Sequence, residues 1–295
     1  MTSRNKALQS AMEYLMTYGW AILIIAVVLG ALFQLGIFNA STFTPKAPPG
    51  ACHVFRPNGP MTSSFINLQG ICNGELPQYV AKFDGTSSYS QLSYTPGINP
   101  SAFTISVWAD VKGGQGTYRS PITSRCTSGT NTYGYMLYAN YVNQWQFMTG
   151  EGIAAWGTVS GGTVTLNEWV HVVGTYSSGT VSLYLNGQSL GSATYAFSPN
   201  TGCPMRIGAG YTEGVPQFFF NGLLSNLQIY NSSLSSNEVS ALYNEGIGGA
   251  PVKLNNLVGW WPLNGDAKDY SGNNYNTASS GMSFTSEWVN SYSAP

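Results

Sequence analysis

The stretch WVHVVGTYSSGTVSLYLNGQSL, Trp169–Leu190, decides the fold. Its segments WVHVVGTY and VSLYLNGQSL are rich in β-branched and aromatic residues, the composition of strands. Asn186-Gly187 is the strongest short hairpin signal, because a two-residue turn of the favoured twist needs positive φ at both central positions. Working outward, FTISVWADV (Phe103–Val111) alternates with period two. Phe103, Ile105, Val107, Ala109 and Val111 share one face, which predicts a half-buried strand. RIGAG (Arg206–Gly210) and LLSNLQIY (Leu223–Tyr230) add strands, and the β pattern begins near Tyr79. One helix is expected at Ser235–Glu245, opened by the capping box Ser235-Ser236-Asn237-Glu238 and stopped by Gly246. Many short strands and one late helix predict an all-β antiparallel sandwich.

Composition bounds what such a domain does. Of 295 residues 8% are charged and the net charge is −1, so the clustered Lys and Arg that hold phosphates are missing and nucleic acid is excluded as a partner. Glycoside hydrolysis needs two carboxylates facing one bond, which on a strand means acids two or four residues apart. Glu151, Glu168, Asp110 and Glu213 stand alone, and Asp266 and Asp269 sit in a turn-rich loop. His171 falls on an apolar strand, where a satisfied core histidine is expected rather than a base. No catalytic residue is assigned and no enzyme activity is expected. The cysteines Cys52, Cys72, Cys126 and Cys203 allow three pairings; spacing favours Cys52–Cys72 and Cys126–Cys203. The first would close a loop worth about 3 kcal/mol in the chain-entropy picture. No CxxC is present, which argues against a zinc site.

The segments KFDGTSSYSQL, FTISVWADV, EWVHVVGTYSSGTVSLYLNGQSLGS, MRIGAGY and FNGLLSNLQIYNSSLSSNEVSALYNEG follow one another in an order that resembles laminin G-like, concanavalin A-like jelly rolls. The resemblance covers residues 79–246. It implies a fold used for binding glycans or proteins, sometimes with calcium on its loops. Trp108 and Trp169 are expected near strand ends, and the capped helix is expected to plug one edge of the sandwich. Positions often acidic in that family read Ser177, Ser225 and Asn226 here. Calcium wants six to eight oxygens; Asp266, Asp269 and Asn273 supply the remaining candidates, with Asp269 capping its own turn as the structural alternative. No cofactor is otherwise implied. Trp156, Tyr141 and Tyr211, placed on loops, are candidate rings for stacking on sugars.

LVGWWPLNGDAKDYSGNNYNTASS (Leu257–Ser280) resembles the opening strand and loop of the same domain type, which would normally precede the FDG strand. Too few residues follow for a second sandwich. Val258–Leu263 and Ser283–Val289 are therefore expected to return to the first one in a permuted order, burying Trp260, Trp261 and Trp288.

The chain opens with QSAMEYLMTYGWAILIIAVVLGALFQLGIF, Gln9–Phe38, apolar but for Glu13 and Gln34 and long enough to cross a bilayer as a helix. Arg4 and Lys6 precede it, so the bulk of the chain is expected outside the cell membrane. The run is too long for a cleaved secretory signal. KALQSAMEYLMTYGWAILII resembles the class III signal of archaeal type IV pilin-like proteins. That resemblance implies cleavage between Leu8 and Gln9, which sets Glu13 at the fifth mature position; Leu8 stands where the family usually has glycine. In a filament Glu13 could neutralise a neighbour's new amine; at a headgroup it would simply be tolerated. A plain signal anchor remains the alternative. Asn39-Ala-Ser41 and Asn231-Ser-Ser233 are glycosylation sequons.

The expected organisation is a basic leader (1–8), an apolar helix (9–38), a linker with a cysteine loop (39–76), a laminin G-like sandwich (77–246) and C-terminal strands completing it (247–295). The expected function is non-enzymatic: display of a lectin-type domain outside the membrane for adhesion to a glycan or surface protein. The alternatives are a structural subunit of a pilus-like filament, the chain's partner then being itself, and a cell-wall polysaccharide hydrolase.

Overall fold

The structure is a computed structural model that describes residue 18 and residues 20–30, 52–55, 67–70 and 76–295; of residues 52–55 and 67–70 it describes the backbone. Residues 1–45 and 46–295 form two compact units. In the first, residues 20–30 are helical, with Trp20, Ile22, Leu23, Ile24, Ile25 and Leu29 exposed. Among the described residues no helix is long and apolar enough to cross a membrane. Leu8, Gln9, Glu13, Asn39, Cys72 and the side chain of Cys52 lie outside the described residues.

In the second unit, β1 (Cys52–Phe55) pairs antiparallel with β2 (Asn67–Gly70). The strands of the sandwich begin with β3 (Val80–Asp84), β4 (Tyr89–Leu92), β5 (Phe103–Val111) and β6 (Arg119–Ser128). Next come β7 (Asn131–Ala139), β8 (Gln144–Gly150), β9 (Trp156–Thr163) and β10 (Trp169–Ser177). β11 (Thr180–Leu185), β12 (Gln188–Thr194), β13 (Met205–Ile207) and β14 (Asn221–Tyr230) follow. The helix Ser236–Glu245 separates them from β15 (Leu257–Trp261), β16 (Ala278–Ser280) and β17 (Ser283–Thr285). An eight-stranded sheet runs β12-β11-β10-β5-β14-β3-β17, with β15 also on β14; a seven-stranded sheet runs β16-β4-β13-β6-β7-β8-β9. The fold is an antiparallel jelly-roll sandwich.

Local chemistry explains the frame. The β11–β12 turn has Asn186 at φ 49° and Gly187 at φ 76°, the twist-matched hairpin that Asn-Gly encodes. In the helix, Ser235 accepts from Glu238 N while the Glu238 carboxylate accepts from Ser235 N, the reciprocal cap read from the sequence. β13 stops at Ile207, earlier than the Arg206–Gly210 strand the sequence suggests, because the chain turns at Gly208. There φ is 81° and a Cβ would lie 2.1 Å from the Phe83 ring. Cys126 and Cys203 are disulfide-bonded across a Cα separation of 5.5 Å.

β5 corrects one expectation. Phe103, Ile105, Val107, Ala109 and Val111 do face the core, but Thr104, Ser106, Trp108 and Asp110 on the other side are buried too. The strand is not half-buried, because its outer face has a cover. Helix residues Val239 and Leu242 pack with Val173, Tyr230, Leu257 and Trp260, so the helix lies flat on the eight-stranded sheet instead of plugging an edge. Trp108 stands at mid-strand, not at an end, and stacks on Tyr243 at 5.7 Å and 19°. The chain end completes the cover: Trp169 Nε1 donates to Trp288 O at 3.2 Å, and Ser291 Oγ donates to Asp110 Oδ2 at 2.6 Å. Residues 257–285 feed both sheets, β15 on β14, β17 on β3 and β16 on β4.

Candidate concave-face site

The outer face of the seven-stranded sheet carries a cleft of about 190 Å³, lined by Tyr118, Arg125, Met136, Tyr138, Met148, Trp156 and Phe218. Strand alternation makes it. Tyr135, Leu137 and Ala139 of β7 point into the core, so Met136 and Tyr138 point out; Phe147 of β8 is core, so Met148 points out. Met136 and Met148 are direct cross-strand partners.

Arg125 on β6 is the polar centre. Its Nη2 meets Glu213 Oε1 at 2.5 Å, and its guanidinium lies 4.8 Å from the Trp156 ring centroid and 5.4 Å from that of Tyr211. A guanidinium beside two ring faces, with a carboxylate at its fork, gains from cation–π and charge-assisted bonding together. Thr127 Oγ1 also donates to Glu213 Oε1, at 3.4 Å. Backbone exchange pins the loop to β6: Arg125 N donates to Thr212 Oγ1 at 3.1 Å, and Thr212 Oγ1 donates back to Arg125 O.

That loop, between β13 and β14, is preset. Arg206 donates from Nη1 to Tyr211 O at 2.8 Å, from Nη2 to Gly214 O at 2.9 Å and from Nε to Gln91 Oε1 at 2.8 Å. Gly210 and Gln217 exchange backbone bonds across its neck. Tyr211 at φ 60° and Phe218 at φ 53° occupy the left-handed region, a conformation that aromatic residues hold only when their surroundings enforce it. Phe218, Tyr138 and Tyr118 meet edge to face, Tyr118 to Tyr138 at 5.2 Å and to Phe218 at 5.6 Å. Tyr141 extends the ring cluster outward from Tyr118 at 5.4 Å, more than half exposed at 55%. The Tyr138 hydroxyl is buried without a protein partner, and burial pushes its pKa up to about 12.

The candidate rings from the sequence reading converge here. Trp156 lines the cleft, although it opens β9 instead of sitting on a loop; Tyr211 backs Arg125, and Tyr141 borders Tyr118. The polar core of the site was missed. Arg125 and Glu213 lie 88 residues apart with no motif joining them; only the alternation of NTYGYMLYA could have flagged Met136 and Tyr138 as outward.

Elsewhere, most of the polar candidates have structural tasks. Asp269 is buried and accepts from Trp260 N, Ser271 N, Ser271 Oγ and Tyr275 N, so its oxygens are committed to the turn. Asp266 accepts from Tyr270 Oη at 3.1 Å, and Asn273 Nδ2 donates to Val258 O at 3.0 Å. Among the described residues no group of three or more His, Cys, Asp or Glu could hold a metal ion. Asn226, at φ 51°, accepts from Trp260 Nε1 at 2.7 Å and donates to Gly249 O. Ser225 Oγ donates to Pro262 O at 3.3 Å, whereas Ser177 is a partly buried residue at the end of β10. Asn231 is exposed just after β14. His171 Nε2 and Ser106 Oγ are 2.7 Å apart, the spacing of a nucleophile and its base, yet both lie sealed under the helix with Nδ1 unpartnered. A triad needs a third group orienting the imidazole and a path for substrate; this pair has neither. Glu151 and Glu168 do not reach the cleft lining, and Asp110 is bound to Lys112 at 2.7 Å.

A laminin G-type family model, described as the concanavalin A-like lectin/glucanases superfamily, matches residues 84–240. The adhesion G-protein coupled receptor V1 of Danio rerio is 25% identical over 177 residues, which cover 57% of this chain and 3% of the receptor. A putative carbohydrate binding protein from Bacteroides ovatus superposes with a TM-score of 0.56 at 16% identity, covering 74% of this chain and 61% of that one. A heptameric SAP-like pentraxin from Limulus polyphemus has a TM-score of 0.48 at 16% identity over 70% of this chain and 94% of its own. The chain thus spans a small fraction of the receptor and about three fifths of the Bacteroides protein. With more than half of its length matched, the chain belongs to the concanavalin A-like lectin/glucanases superfamily.

Proposed function

We propose that the sandwich is a non-enzymatic glycan-binding module, held at the cell surface by the N-terminal apolar segment and used for adhesion. The carrying observation is the concave cleft, where Trp156, Tyr118 and Phe218 offer rings and Arg125–Glu213 offers a fixed polar pair. Sugars present apolar C–H faces and a hydroxyl rim, and a cleft of mostly aromatic walls with few placed polar groups suits both. The Bacteroides protein described as carbohydrate binding shares the fold, which is consistent with this reading. Hydrolysis is disfavoured: the cleft brings up one carboxylate, Glu213, already bonded to Arg125, where two are required. Probing a glycan array with the full chain tests the reading directly. Binding that is lost in Trp156→Ala supports it; absence of binding to every glycan refutes it.

Display at a membrane is supported by the exposed apolar side chains of residues 20–30, since a helix that is apolar all round requires an apolar environment. A bilayer supplies one, and the helices of other copies in a pilus-like filament supply another. Sequencing the native N-terminus separates them: a mature chain starting at Gln9, with fibres lost on Glu13→Ala, marks a filament subunit.

A further inference from the structure

Arg125 already has a carboxylate partner within the protein before any ligand arrives. Nη2 is bound to Glu213, Nη1 approaches Met136 Sδ at 4.0 Å, and the rings of Trp156 and Tyr211 lie beside the guanidinium. Only 15% of its side chain and 10% of that of Glu213 remain exposed. The rest of the lining is aromatic or thioether; the Tyr138 hydroxyl, Arg125 Nε and Glu213 Oε2 are buried there without a protein partner. The other large cation on this face, Arg206, is committed to Tyr211 O, Gly214 O and Gln91. At about 190 Å³ the cleft also falls short of the roughly 300–1,000 Å³ of sites for drug-sized ligands.

We propose that the cleft takes a single terminal sugar ring without charge, and that the Arg125–Glu213 pair acts as a specificity gate against acidic sugars. This rests on the glycan-binding reading above. An acidic ring would bring a second carboxylate to a cation that already has one, and would leave water for a largely apolar pocket without a free countercharge. A neutral ring lays its C–H face on Trp156 or Tyr118 and needs no countercharge. The gate is removable. Glu213→Gln leaves the guanidinium uncompensated in a low-dielectric cleft, where its attraction for an anion is strongest.

The test uses the full chain against glycans ending in galactose, glucose or N-acetylglucosamine and against matched glycans ending in sialic or glucuronic acid. The wild type is expected to bind at least one neutral terminus, with affinity insensitive to ionic strength. In Glu213→Gln, binding of acidic termini should rise by about tenfold or more and fall again with salt. In Trp156→Ala, neutral binding should drop by about tenfold or more. A wild type that prefers acidic termini in a salt-dependent way overturns the gate and leaves the glycan reading standing. Neutral binding unchanged in Trp156→Ala overturns the cleft as its location. No binding to any terminus defeats the glycan reading itself. Ionic-strength dependence of the wild type needs no variant, so the inference stays open to refutation even if Glu213→Gln folds poorly.

Discussion

The outer face of the eight-stranded sheet carries Ser106, Trp108, Asp110 and His171, all at 2% exposure or less, while the outer face of the seven-stranded sheet carries Arg125, Met136, Met148 and Trp156 around a cleft. Both faces arise from the same period-two alternation, and both mix aromatic with polar side chains. What separates them is cover. Residues 236–245 and 288–292 lie across the first face, whereas on the second the β13–β14 loop covers part of β6 and β7 and leaves the cleft beside it. The meaning of a constellation therefore depends on its lid. Ser106 and His171 have the spacing of catalytic groups but serve packing, whereas Arg125 and Trp156 line an open cleft and can meet a ligand.

The most damaging way to break this comparison is Trp288→Ala. Trp288 is 1% exposed, packs edge to face on Trp169 at 6.2 Å, and closes the cover over Asp110 and Trp108. Removing a buried indole costs about 3–5 kcal/mol, measured by denaturant unfolding. Trp156→Ala should change stability by about 1 kcal/mol or less, because that ring is only partly buried. Opposite outcomes, with Trp156 the stabilising residue, would invert the assignment of the two faces.

His171 sharpens the comparison through pH. Burial beneath Trp108 and Tyr243 lowers its pKa from 6.5 to about 3, so the folded state holds it neutral where the unfolded chain would protonate it. The unfolded state then binds more protons between those values, and stability falls as pH falls. The contribution is fully present above pH 6.5 and declines by about 1.4 kcal/mol per unit on the way down. From pH 6.5 to 4.5 the wild type should lose roughly 2 kcal/mol relative to His171→Gln, compared by chemical denaturation at each pH. Parallel curves for the two proteins would mean that the imidazole reaches water, and the cover would be refuted.

The contrast also marks what was legible in the sequence. β5, the Asn186-Gly187 hairpin and the capped helix each follow from short-range rules, since period, turn chemistry and capping act within a few residues. The full burial of β5 was not legible: Ser106 and Asp110 look like solvent positions until the helix and the chain end, more than 120 residues onward, cover that face. The cleft fared similarly. Trp156 in its lining and Tyr141 and Tyr211 beside it were candidates as rings expected on loops, but the Arg125–Glu213 pair depends on the chain turning at Gly208 so that the next loop folds over β6. Sheet topology makes that pair, and no local pattern encodes it.

The smallest test touches the hinge of the cover. Ser235 caps the helix that shields His171: its hydroxyl accepts from Glu238 N, and Glu238 bonds back to Ser235 N at 2.8 Å. Hydrogen bonds to Ser235 hold the Glu238 carboxylate below its usual range, aided by Lys253 at 3.1 Å. Ser235→Ala removes the acceptor for one end-of-helix amide and should lower stability by about 1 kcal/mol. Fraying at that end loosens Val239 from Tyr230 and Trp260, so amide exchange in β10 and β14 should quicken. Exchange in β7 and β8, beneath the cleft, should not change, and neither should ligand affinity. Equal acceleration in both sheets would show that the lid holds the whole sandwich together, and the independence of the two faces would fail.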